Sequence, residues 1–225
     1  MGNTPFKADI LGLPPWGYLD EQGNMRGVMH DITQKISQES GIALETRLYP
    51  VKRLVQRLQA NQSQLSIILL SDWSRENLIP IAPIFTDVRS IILPRAEITI
   101  NDYDDIAYLR LAMIRGTKTG HPIETQDGLK KIMTNDYLQS AHLLKAGRVD
   151  AIVGVEPSLY WVTRKAGLSW EEMGRPFVLL SSAIWLHVTK NSFNDAQIEK
   201  LKLTVRKLKK TRYFEEVMYR YLYNQ

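Results

Sequence analysis

The chain has 225 residues, 44% hydrophobic and 24% charged, the balance of an ordinary soluble globular protein with room for a large core or two smaller lobes. It holds no cysteine, which excludes disulfides and thiolate metal sites, and no apolar run approaches the roughly 18–20 residues of a membrane span. The net charge of +5 is local: eight Lys and Arg between Lys190 and Arg212 face only Asp195 and Glu199. Ile198, Leu201, Val205 and Leu208 give that segment a helical apolar stripe, so its lysines read as a solvated outer face. No base-stacking aromatics interleave them, and no nucleic-acid partner is expected.

The spacing predicts a strand over 6–11, stopped by Pro14-Pro15. Trp16 and Tyr18 then leave the chain on one side, and Asp20 to Gly23 is turn chemistry. Trp16, held on a rigid turn at a strand's end, either walls a pocket or plugs a core edge. Val28, Ile32 and Ile36 mark a helix from Val28 to Ser40, with Gly41 as its stop. A strand over 43–49 follows, then an amphipathic helix through Val51, Leu54, Val55 and Leu58, and an apolar strand from Leu65 to Leu70. Strand, helix, strand, helix, strand is the pattern of a parallel sheet with crossover helices.

Pro80 and Pro83 read as breaks before a strand from Val88 to Leu93, and residues 97–108 as an acidic connection. A second α/β set opens with the strand 109–115, ended by Gly116-Thr117. A helix is expected through roughly 123–133, and another from Tyr137 to Ala146, capped by Asn135 or Asp136 and followed by Gly147. The rest is a strand from Val149 to Val155, a helix opening at Pro157, two strand-like runs at 176–181 and 183–189, and helices near 194–210 and 213–224.

The four histidines lie far apart without metal-ligand spacing, and no nucleophile elbow, phosphate loop or dinucleotide fingerprint occurs. Catalysis, metals and cofactors are therefore not expected. Two places suggest ligand chemistry. Arg115-Gly116-Thr117-Lys118-Thr119-Gly120 follows a strand, and such a turn aims backbone N–H groups at one spot suited to an anion, or is a plain turn. Arg75 follows the strand Leu65–Leu70 within Ser71-Asp72-Trp73-Ser74-Arg75. There it either holds a carboxylate bidentately or pairs with Asp72 or Glu76.

Together these stretches resemble the bacterial family-3 extracellular solute-binding proteins, the amino-acid-type receptors of ABC importers. Pro14-Pro15-Trp16-Gly17-Tyr18-Leu19-Asp20-Glu21-Gln22-Gly23-Asn24-Met25-Arg26-Gly27, with Asp31 beyond, looks like the family's opening motif. Leu54 to Leu70 is similar to its next helix–strand pair, Gly116-Thr117 to its second-lobe turn, and Leu143 to Val153 is the closest local match. The resemblance implies an α/β, type II periplasmic-binding-protein-like fold of two lobes, 1–93 with 187–225 and 96–183. A hinge is then expected near 93–96 and 182–187, with the ligand enclosed between the lobes when they close. It implies Arg75 as the carboxylate's partner, Gly116 and Thr117 as the rest of its cage, and Trp16 stacked on the ligand.

Two departures bear on the ligand. The family's Asp-Glu pair, whose Asp takes an amino acid's α-ammonium, reads Val155-Glu156 here. Either Glu156 takes over by a one-residue shift, or the ligand has no α-ammonium. The hydroxyl-rich turn is shortened, leaving Ser71 and bringing Trp73 toward the pocket. The expected partners are a small carboxylate-bearing molecule and a membrane permease, the expected state a monomer, and the expected location the periplasm. The start Met1-Gly2-Asn3-Thr4-Pro5 lacks a basic-then-apolar leader, as in a cytoplasmic protein or a mature exported one whose signal peptide is gone. A ligand-sensing domain of the same fold is the alternative output. A cleft dehydratase using Glu156 or Asp72 as its acid ranks last.

Overall fold

Hydrophobic spacing and a few stop residues set the order of elements in the computed structural model, which describes residues 4–115 and 121–223. β1 (Phe6–Leu11) runs to the proline pair, and β2 (Tyr18–Leu19) with β3 (Met25–Arg26) closes a hairpin over the Asp20 turn. Asp20 stabilises that turn by accepting the N–H groups of Gln22 and Asn24. α1 (Val28–Ser40) buries Val28, Ile32 and Ile36 on one face and ends where Gly41 adopts φ 63°, a left-handed stop. Each such fully buried aliphatic side chain contributes about 1.5–3 kcal/mol. Next come β4 (Leu44–Tyr49), α2 (Val51–Gln59), β5 (Leu65–Leu69), α3 (Asp72–Asn77) and β6 (Leu78–Pro94). They are followed by β7 (Arg110–Ile114), β8 (Lys130–Thr134), α4 (Tyr137–Lys145), β9 (Ala151–Val155) and α5 (Glu156–Lys165). The described chain closes with β10 (Phe177–Thr189), α6 (Asp195–Lys210) and α7 (Tyr213–Tyr223).

Two compact units divide these elements, Met1–Asp87 with Ser182–Gln225 and Val88–Ser181, so the divisions fall inside β6 and β10. In the first unit the strand order is β4-β1-β5-β10, with β1 parallel to β4 and β5, and β10 antiparallel to β5. α1 packs against this sheet and against α6 and α7. The stripe of α6 is buried at Leu201, Val205 and Leu208, while Lys200, Lys207, Lys209 and Lys210 are exposed, and Lys207 reaches Glu39 at 2.6 Å.

The second unit orders its strands β6-β9-β7-β8, with β7 parallel to β8 and β9, and β6 antiparallel to β9. Ile92, Leu111, Met113, Ala151 and Val153 fill its core with Ile106 and Ile123. Asp150 ties the starts of two strands: it accepts the Arg110 backbone N–H and holds the Arg110 guanidinium at 2.6 and 3.0 Å. That guanidinium holds its carboxyl down at a pKa of about 2.

Three sequence expectations are corrected. The helix through 123–133 is absent: a 3-10 turn over Pro122–Glu124 is followed by strand β8, parallel to β7 from Lys130 to Thr134. Only Thr134 of β8 is buried, so no two-residue apolar alternation marks it, and strand pairing overrides local helix propensity. Pro80 and Pro83 do not break the chain, because a fixed φ near −65° suits extended backbone. β6 runs through both of them, and its pairing with β9 lies beyond, at Ser90–Pro94. The two runs at 176–181 and 183–189 form one continuous strand, β10.

Candidate functional site

In the first unit the loop after β1 is built onto the start of α1. Gly27 precedes α1 without a side-chain cap, and the carbonyls of Pro15 and Trp16 accept the N–H groups of Val28 and Met29 instead, at 2.9 and 2.8 Å. Gly27 has φ 128°, and a Cβ there would lie 2.5 Å from the Trp16 carbonyl oxygen, so only glycine fits. Its N–H donates to the Tyr221 hydroxyl, which donates to Asp31 at 3.0 Å. This frame places Trp16 inside the unit, 2% exposed and edge-on to Phe85 with ring centroids 6.2 Å apart. Phe85, half-buried on β6, packs in turn on the buried Phe214. Sequence reasoning missed Phe85 because a segment read as broken by Pro83 offered no strand on which to place it.

Arg75 follows β5 by one short helix. Ser71 caps α3: its hydroxyl accepts the Ser74 N–H at 3.2 Å, and Ser74 Oγ accepts the Ser71 N–H at 2.9 Å. The hydroxyl of Ser71 is thus engaged locally. Trp73 packs on Leu54, Leu58 and Leu78, with its Nε1 buried and lacking a partner among the described residues. The guanidinium of Arg75 is exposed, and among the described residues it makes no ion pair or hydrogen bond; neither Asp72 nor Glu76 takes it. Its field is felt at His187 on β10, which is fully buried with Nδ1 3.0 Å from the Trp185 carbonyl. Burial, opposed by that carbonyl and reinforced by the charge of Arg75, pushes the His187 pKa down to about 4. This imidazole is therefore neutral at pH 7.

In the second unit, Gly116 and Thr117 lie outside the described residues; the strand before them ends with the Arg115 N–H donating to Thr134. Glu156 is the first residue of α5. It holds Arg89 of β6 in a two-pronged ion pair, Nε to Oε2 and Nη2 to Oε1, both at 2.7 Å, and accepts the Tyr160 hydroxyl at 3.0 Å. Beside it the Val155 N–H donates to the buried Tyr137 hydroxyl at 3.3 Å, and burial pushes that phenol up to about 12. Gly154 makes the approach possible, since a Cβ there would sit 2.4 Å from the Tyr137 ring. Arg89 was not foreseen: it is 67 residues from its partner, and only the β6–β9 pairing brings the two together.

Among the described residues no cluster of three or more His, Asp or Glu could hold a metal, and no helix is long and apolar enough to cross a membrane. What the first unit offers chemically is a cationic donor fork at the end of a parallel strand. The second offers a carboxylate already neutralised.

Residues 10–222 match the sequence profile of the bacterial extracellular solute-binding proteins, family 3. A search among curated proteins finds no match. Among solved structures, a histidine kinase sensor domain with similarity to periplasmic binding proteins superposes with a TM-score of 0.77 at 20% identity, covering 98% of this chain and 96% of the other. An ancestral arginine-binding protein bound to arginine gives 0.75 at 19% identity, covering 98% and 99%. Holo ArgBP from T. maritima gives 0.71 at 20% identity, covering 95% and 93%. At these identities the likeness establishes the fold, a two-lobed α/β binding-protein fold, and leaves the ligand to the residues themselves.

Proposed function

This chain belongs to the bacterial extracellular solute-binding proteins of family 3, and from that membership we propose that it is the receptor of an ABC importer. It captures a small carboxylate-bearing molecule, an amino acid or related organic acid, in the periplasm and delivers it to a membrane permease. The lobes, 1–93 with 187–225 and 96–183, turn about a hinge near 93–96 and 182–187. Binding favours the closed form because the ligand reaches both lobes only there. Arg75 holds the carboxylate and Gly116 and Thr117 complete its cage. Trp16, Ser71 and Trp73 shape the first lobe's wall, and Glu156 contributes from the second. The observation that carries this reading is the exposed, unpaired guanidinium of Arg75 just past β5. An arginine so placed offers two parallel N–H donors to a carboxylate at the strand ends, where α/β folds take ligands.

The test is a thermal-shift screen against amino acids and simple organic acids, run on the native chain and on Arg75→Ala. The native protein is expected to respond to a subset of carboxylates and the variant to none. An equal response from both removes Arg75 from the site.

A second reading keeps the binding and changes the output: the domain reports occupancy to a signalling partner. The fold shared with a histidine kinase sensor domain supports it. A permease gene beside this one favours import, and a kinase segment favours sensing.

A further inference from the structure

The second unit narrows the class of ligand. Both oxygens of Glu156 are taken: Arg89 bonds each at 2.7 Å, and Tyr160 adds a third donor at 3.0 Å. An ammonium arriving here would meet a carboxylate whose charge Arg89 already balances and which already accepts three hydrogen bonds. Within this ion pair the carboxylate side chain is only 12% exposed and the guanidinium 44%, so the guanidinium is the partner that faces outward, and it has a further contact besides Glu156. Val155, the residue before Glu156, brings an alkyl side chain, and its N–H is already spent on Tyr137. Glu124, which lines a small cavity with Ser90, Tyr137 and Gly154, is itself engaged. At the end of β9, then, Glu156 and Glu124 are both engaged, and the groups beside them are the Arg89 guanidinium and the alkyl side chain of Val155.

We infer that this end of β9 receives an oxygen acceptor, so that the ligand is a carboxylic acid bearing a hydroxyl, oxo or second carboxylate group and lacking an α-ammonium. The inference rests on the receptor reading above and specifies its ligand. Glu156 is here a positioning residue: it fixes the guanidinium of Arg89, and Arg89 meets the ligand.

Matched trios that differ only at the α-carbon decide the matter: alanine, lactate and pyruvate, and glutamate, 2-hydroxyglutarate and 2-oxoglutarate. Each is titrated calorimetrically into the native protein, Arg75→Ala, Arg89→Met and Glu156→Gln. In at least one trio the hydroxy or oxo member is expected to bind the native chain tenfold or more tighter than the amino member, and to lose binding in Arg75→Ala. Arg89→Met, which releases the Glu156 carboxylate, is expected to narrow that preference at least tenfold. Glu156→Gln keeps the shape and loosens Arg89, so it is expected to weaken the amine-free acid threefold or more. An amino acid that binds as tightly as its amine-free analogue, and loses that binding in Arg75→Ala, overturns this inference and leaves the receptor reading standing. A selective loss of amino-acid binding in Glu156→Gln overturns it as well. If no acid in either trio or in the wider screen binds the native chain, both readings fall.

Discussion

Two arginines, each on the segment next to a sheet strand's end, are treated in opposite ways by their surroundings. Arg75 in the first unit is exposed and has no partner among the described residues, whereas Arg89 in the second is clasped by the buried Glu156. A guanidinium left unpaired keeps its donors for a guest and adds little to stability. One locked on a buried carboxylate is part of the frame, because the carboxylate alone would be left uncompensated. The difference separates a guanidinium whose donors are uncommitted among the described residues from one that two of its donors tie to the frame.

Removing each arginine should expose that contrast. Arg89→Met leaves Glu156 buried with only Tyr160 to bond it and is expected to cost about 3 kcal/mol of folding stability, read by urea denaturation. A loss below about 1 kcal/mol would mean that the pair is a surface contact of ordinary weight. Arg75 leaves its mark elsewhere, on His187. Its folded pKa of about 4 lies below the unfolded value near 6.5, so the unfolded chain takes up the proton first as pH falls. Stability that is full above pH 6.5 should decline by about 3 kcal/mol by pH 4, and His187→Gln should flatten that decline. Arg75→Ala, by removing a repelling charge, should shrink it. A pH profile identical in all three proteins would contradict the placement of Arg75 near His187. Ser71→Ala, losing the cap that orients α3, should cost about 1 kcal/mol. Arg75→Ala itself should stay within about 0.5 kcal/mol of the native chain at pH 7.

The same contrast explains what was legible in the sequence. α1 was readable because Val28, Ile32 and Ile36 repeat at helical spacing and Gly41 ends it, all within one local window. Arg75 was readable as a candidate because it directly follows the apolar strand β5, but its lack of a partner was not, since Asp72 and Glu76 flank it in sequence. β8 was missed because an edge strand buried only at its last residue carries no alternation. Arg89 was missed because its meaning comes from Glu156, a residue distant in sequence. Trp16 illustrates a third case: the turn that holds it was visible, yet its burial depends on Phe85 and on the docking of the turn onto α1.

Calorimetric titration of the native chain and of Arg75→Ala, with the acid that gives the largest thermal shift, tests the proposed anchoring role of Arg75 most directly. Loss of a charge-assisted two-pronged contact should weaken binding by about a hundredfold or more, with folding unchanged. Retention of the native Kd by a folded Arg75→Ala would show that this guanidinium does not hold the ligand.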